Sequence, residues 1–241
     1  MGLLDIFGGS GPNKARKLRA KVIQKYGDPT VRQKAITQLG SMKIPEAVPS
    51  LLARFTITVD PLTTDSDEKE HVVELIKGFD QAAIGPVTEF LRRSAQASSW
   101  AIRILLELLP EPEVIGIAVD LLKKLGTEYS RDPEKKLVLI QFVTGKDDPG
   151  IAPVLVPFLE DMADDVKIAA LKALGPLKYE AARESMLRLL TAPETARRVQ
   201  TAVIASLFES GFGVQGYREK VETLLPEPFF VDKGGLVKRR G

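Results

Sequence analysis

DPTVRQKAITQLGSMKIPEAVPSLLARF, residues Asp28 to Phe55, decides the fold. Asp28 followed by Pro29 supplies a helix N-cap and a proline at the first helical position. Val31, Ala35 and Leu39 then recur at helical spacing, and Gly40 is expected to stop the helix. A second start follows at Pro45, with Val48, Leu51, Leu52 and Phe55 at i, i+3, i+4 and i+7 on one face. Neither helix can bury its apolar stripe alone. A hairpin of this size has to stack on something similar, so the rest of the chain is expected to repeat it.

It does. In DDVKIAALKALGPLKYEAARESMLRLL, Val166, Ala170, Leu174 and Gly175 reproduce Val31, Ala35, Leu39 and Gly40, and Lys167 takes the place of Arg32. The helix behind it carries Tyr179, Ala182, Met186 and Leu190 as its stripe. A further copy begins DPEKKLVLIQFVTG at Asp132 and continues with Ile151, Val154, Leu155, Phe158 and Leu159. Weaker copies pair SDEKEHVVELIKGF with AAIGPVTEFLRR, SSWAIRILLELL with EVIGIAVDLLKKL, and PETARRVQTAVIASLF with VQGYREKVETLL. Six units therefore begin near Asp28, Asp67, Ser98, Asp132, Asp164 and Pro193, about 30 to 39 residues apart.

The pattern D-x-x-V-R-x-x-A-x-x-x-L-G, met at Asp28–Gly40 and nearly so at Asp164–Gly175, resembles the HEAT-repeat family. More narrowly, it is similar to the short HEAT-like repeats of phycobilin lyases and many bacterial proteins. The resemblance covers residues 28 to about 225. It implies an all-α fold, a right-handed α-α superhelix of about six helix pairs whose second helices line a concave surface. A shared way of packing helix pairs says little about activity.

Three segments break the repeat. Residues 1–11 are expected to be a flexible N-terminal segment, bearing Leu3, Leu4, Ile6 and Phe7 before a GGSG linker. The repeat domain is placed at residues 12–225, opening with a cap helix over residues 12–26. Ala15, Leu18, Val22 and Tyr26 face one way on it, while Lys14, Arg16, Lys17, Arg19, Lys21 and Lys25 carry charge with no nearby acid. Residues 57–66, ITVDPLTTDS, are read as a tolerated insertion with turn chemistry at Asp60-Pro61. Residues 226–241 form a C-terminal extension in which β-prone runs flank Asp-Lys-Gly-Gly, a short hairpin pattern sealing the last repeat and ending in Lys238, Arg239 and Arg240.

With 241 residues, 44% hydrophobic and 27% charged, the chain can bury a large core. A formal net charge of +2 does not demand nucleic acid or an acidic membrane as the main partner. Cysteine is absent, which removes disulfides and cysteinyl metal sites and fits a reducing compartment. The start MGLLDIFGGSGPNK has neither the basic nor the long apolar region of a signal peptide, and Ile6 stands where a myristoylation motif wants Ser or Thr. No apolar run reaches the roughly 18 residues of a membrane span. The location is read as cytoplasmic.

Chemistry finds little support. A nucleophile needs a base and a metal needs several ligands at suitable spacing, yet His71 is the only histidine and has no evident partner ligand. Iron-dependent HEAT-like hydroxylases use repeated His-Glu pairs that this chain lacks. Trp100, the sole tryptophan, shares a helix with Ile104 and Leu108 and reads as core. The expectation is a non-catalytic scaffold without cofactor or metal, binding another protein on the concave surface. A nucleic-acid-binding or DNA-repair module is the second reading and a bilin-lyase-like subunit the third. Outward positions of the second helices, Arg54, Arg92, Arg93, Lys123, Lys124, Arg188 and Arg218, are expected to form a basic ladder for an acidic partner. Cations near helix C-termini are also favoured by the helix dipole itself.

Overall fold

The computed structural model describes residues 11–240. Between Val114 and Ile115 the chain divides into two compact units. The expected flexible segment, apart from Gly11, lies outside the described residues. The first unit runs through α1 (Gly11–Val22), α2 (Pro29–Met42), α3 (Val48–Leu52), α4 (Leu62–Lys77), α5 (Gln81–Arg93) and α6 (Ser98–Leu108), and the division falls within α7 (Glu111–Leu125). The second continues with α8 (Glu134–Val143), α9 (Ile151–Leu155), α10 (Asp164–Leu177), α11 (Arg183–Thr191), α12 (Arg197–Ser210) and α13 (Arg218–Leu224). It closes with β1 (Phe229–Val231) and β2 (Val237–Arg239).

In each unit the helices form two stacked layers. First helices lie beside first helices, α2 on α4 on α6 and α8 on α10 on α12. The second layer is α1, α3 and α5 in one unit, and the 3-10 extension of α9 with α11 and α13 in the other. The architecture is therefore an all-α, HEAT-like stack of helix pairs, and α1 occupies the place of a second helix ahead of the first pair. The stripes read from the sequence are its core. Leu39, Val48, Leu51, Leu52, Ile151, Leu155, Val166, Leu174, Met186 and Leu190 are all fully buried.

Local chemistry starts and stops these helices. Asp28 caps α2 by accepting from the Thr30 backbone N–H at 2.9 Å and the Thr30 hydroxyl at 2.7 Å. Gly40, however, does not end it. The helix runs on to Met42 and stops at Lys43, whose φ of +51° is left-handed; α10 likewise runs past Gly175 to stop at Lys178, φ +49°. Both glycines are buried inside their helices, and each sits where a neighbouring helix comes closest. A Cβ on Gly40 would lie 2.6 Å from Leu75 Cδ2, and one on Gly175 would lie 2.7 Å from Glu209 Oε2. The Leu-Gly signature thus permits close approach between first helices rather than termination.

Other boundaries also shift. The helix expected from Asp67 begins at Leu62, and the one expected from Pro193 begins at Arg197. The cap helix ends at Val22 rather than at residue 26, so Tyr26 does not share its buried face and is 80% exposed. Trp100 is half-buried, stacked on Phe55 with centroids 5.0 Å apart, and the Arg103 guanidinium lies 5.3 Å from its ring. The hairpin forms as read. Phe229, Phe230 and Val231 pair antiparallel with Arg239, Lys238 and Val237, and Gly235 takes φ +81° in the turn. Val237 is buried, and Phe229 meets Phe208 of α12 edge to face at 5.8 Å.

Leu52→Ala and Leu174→Ala should each lower stability by about 2 to 5 kcal/mol, because each removes a fully buried side chain from one unit's core. Urea denaturation measures this, and unchanged midpoints in both variants would contradict the placement.

Candidate functional site

The densest concentration of charge is inside the first unit. Arg32 on α2 grips Glu68 on α4 with Nε–Oε2 at 2.6 Å and Nη2–Oε1 at 2.9 Å, and its Nη1 donates to the Gln24 carbonyl at 2.9 Å. Arg54, just past α3, donates from Nε to the same Glu68 Oε2 at 2.9 Å and from Nη2 to Asp65 Oδ1 at 2.7 Å. Asp65 also accepts from the Val59 backbone N–H at 3.0 Å and from Lys69 Nζ at 2.6 Å. All four carboxylate oxygens are occupied. Burial pushes both carboxyls up, but the hydrogen bonds outweigh it, from Arg32 and Arg54 on Glu68 and from Lys69, Arg54 and Val59 on Asp65, so both lie below their ordinary values. The arrangement holds two ionised acids as structural acceptors.

This overturns two expectations. Arg54 is 0% exposed, so it cannot face a partner; its length carries it inward because Asp65 and Glu68 lie within reach. Residues 57–66 are not merely tolerated. They deliver Val59 and Asp65 to the buried cluster, and the Ile57 carbonyl accepts from Arg54 at 3.2 Å. A smaller version recurs in the second unit, where Lys136 stands at the position of Arg32. It is buried, donates to Asp161 Oδ2 at 2.6 Å, and reaches back to the Glu128 carbonyl at 2.7 Å, as Arg32 reaches back to Gln24. At these two positions the basic letter of the repeat ties the preceding loop to an acid that follows, whereas Lys167, the same letter in the next copy, pairs only with Asp164 on its own helix.

The remaining ladder residues are exposed, and four have acids on their own helices. Arg92 and Arg93 both approach Glu89, Arg188 bonds Glu184 at 3.0 Å, and Arg218 bonds Glu222 at 2.8 Å. Lys123 and Lys124 are exposed at the end of α7. Arg92 and Arg93 belong to the first unit, and Lys123, Lys124, Arg188 and Arg218 to the second. His71 is exposed on α4, and among the described residues no group of three acids or histidines is placed to hold a metal. No helix among them is long and apolar enough to cross a membrane.

The second unit has a groove of about 520 Å³ between α8 and α10, which sequence reading did not mark. Leu137, Gln141 and Thr144 line it at i, i+4 and i+7, and Asp165, Ile168, Ala169 and Lys172 at i, i+3, i+4 and i+7, so each helix gives it one face. Leu137, Ile168 and Ala169 are half-buried, while Gln141, Thr144, Asp165 and Lys172 are exposed. Arg198 on α12 bonds Asp164 and Asp165, fixing one edge. The signals in the sequence were two apolar residues off the main stripe, Leu137 and Ile168, which a search for core periodicity passes over.

No protein-family model and no curated protein matches the chain. Two solved structures resemble it. Human deoxyhypusine hydroxylase in complex with glycerol matches with 13% identity and TM-score 0.38 over 90% of this chain and 91% of its own. An engineered protein matches with 19% identity and TM-score 0.41 over 82% of this chain and 96% of its own. The first of these is an enzyme. The expectation of a non-catalytic chain is withdrawn on that finding, while at such identity the hydroxylase chemistry is not carried over.

Replacing Glu68 with Gln should cost about 3 to 5 kcal/mol, since it leaves two buried guanidinium groups undercompensated. The sign of the pH effect follows from the lowered carboxyls. Their contribution is complete above the ordinary values of 4.5 for Glu and 3.8 for Asp, and is lost as pH falls through the lower folded values. Denaturation midpoints should fall more steeply on acidification in the parent chain than in Glu68→Gln; equal slopes would contradict the assignment.

Proposed function

We propose that the chain is a protein-binding helical repeat and that the groove between α8 and α10 receives an amphipathic segment of its partner. The observation that carries this reading is the lining itself: Leu137, Ile168 and Ala169 stand half-exposed between the polar rim residues. An apolar floor with a polar rim suits a helix laid in a groove, where apolar anchors supply affinity and the rim fixes register. Of the charged rim residues, Asp165 is already held by Arg198, so Lys172 is the charge to match and the partner segment carries an acid toward it.

The basic ladder of the second helices is the weaker surface. Glu89, Glu184 and Glu222 already offset four of its cations, which leaves less charge for an acidic partner. The two surfaces can be separated in the native cell by in-cell cross-linking of the tagged chain. Leu137→Glu with Ile168→Glu should remove the principal cross-linked protein with little change in melting temperature. Reversal of Arg92, Arg93, Lys123 and Lys124 to Glu should leave it in place. The opposite pattern would overturn the groove and return the interface to the second helices.

A further inference from the structure

We propose that the α1 end of the first unit docks on an anionic lipid bilayer. This inference does not rest on the groove of the second unit. Ala15, Leu18 and Val22 are the buried face of α1, packed against α2 and α3, and every other residue from Gly11 to Lys21 is exposed. Lys14, Arg16, Lys17, Arg19 and Lys21 therefore all point to solvent, followed by exposed Lys25, and no acid occurs between Gly11 and Gly27.

Several exposed arginines elsewhere are held by acids, Arg93 by Glu89, Arg103 by Glu70, Arg188 by Glu184, Arg198 by Asp164 and Asp165, and Arg218 by Glu222, while Arg131, Arg197, Arg239 and Arg240 are not, among the described residues. None of the α1 cations is in an ion pair among the described residues. Lys14 and Lys17, Arg16 and Arg19, and Lys17 and Lys21 stand at i, i+3 or i, i+4, where like charges oppose the helix. The tertiary contacts of the buried face hold the helix together, and no acid among the described residues relieves its outer face.

A lipid surface and a nucleic acid both offer that charge. The apolar residues that follow the cations favour lipid. Directly after α1, Ile23 is 36% exposed and Tyr26 80% exposed, with Lys25 Nζ 5.9 Å from the Tyr26 ring. An aromatic body with a hydroxyl tip beside a lysine is suited to the bilayer interface. A modest apolar anchor and a polybasic patch together give stable attachment that neither gives alone. Charge in the rest of the molecule nearly cancels, which leaves a local patch rather than a generally basic protein.

Co-sedimentation of the full chain with vesicles tests the proposal. The chain should pellet with vesicles containing phosphatidylglycerol and stay in solution with pure phosphatidylcholine, and added salt should release it. Lys14, Lys17 and Lys21 changed together to Ser should weaken partition by about a hundredfold, at roughly a fivefold factor for each cation. The Tyr26→Ser and Ile23→Ser variants should each weaken it while leaving the far-ultraviolet circular dichroism melt unchanged. Equal binding to both vesicle types, or undiminished binding by the triple variant, would overturn the proposal. So would a short DNA duplex that displaces the chain from vesicles at equal phosphate concentration, an outcome that assigns the patch to nucleic acid.

Discussion

A helix with one apolar face is stable only when something covers that face, and this constraint organises the molecule. Within each unit the stripes read from the sequence are covered as first helices pack on first helices and second helices on second helices, so the pairs stack in two layers. The consequence reaches single residues. At Gly40 and Gly175 first helices approach so closely that a methyl group would meet the side chain of Leu75 or Glu209, which would have to move. Polar ties recur at the same period: Arg32 meets Glu68 thirty-six residues on, Arg103 meets Glu70 across thirty-three, and the Tyr217 hydroxyl donates to Glu184 at 2.6 Å across thirty-three.

The cluster around Glu68 is the place where the first unit departs from a purely apolar interior. Two arginines and two carboxylates are buried together, and such a cluster is weak evidence for stability compared with an apolar replacement of the same shape. What it does supply is connection. Arg32 fixes the loop at Gln24, Arg54 fixes Ile57, and Asp65 fixes Val59, so three stretches outside regular helix are held to one point. The acids are satisfied and kept ionised, which makes the cluster a structural clasp in this fold.

Periodicity made the helix pairs, their stripes and the C-terminal hairpin legible, because stripe spacing and turn chemistry are local properties of the chain. Burial of long charged side chains was not legible in the same way. Arg54 falls at an outward position of its helix, and only the path of residues 57–66, a tertiary fact, brings Asp65 beneath it. Gly40 was read as a stop because glycine serves both at helix ends and at close contacts, and sequence alone does not separate the two uses. Tyr26 fits the stripe of Ala15, Leu18 and Val22 by spacing, but the helix ends before reaching it. Ile168 was overlooked for the opposite reason, since it lies beside the stripe of Val166, Ala170 and Leu174 and adds no period of its own.

The first and second units thus present different surfaces, a cationic helix edged by exposed apolar side chains and a groove with an apolar floor. The central claim concerns the groove, and hydrogen–deuterium exchange of the full chain, with and without the protein recovered by cross-linking, tests it most directly. The account predicts that the partner slows exchange in α8 and α10 and leaves α3, α5 and α11 unchanged. Slowing confined to α3, α5 or α11, with α8 and α10 unaffected, would contradict it.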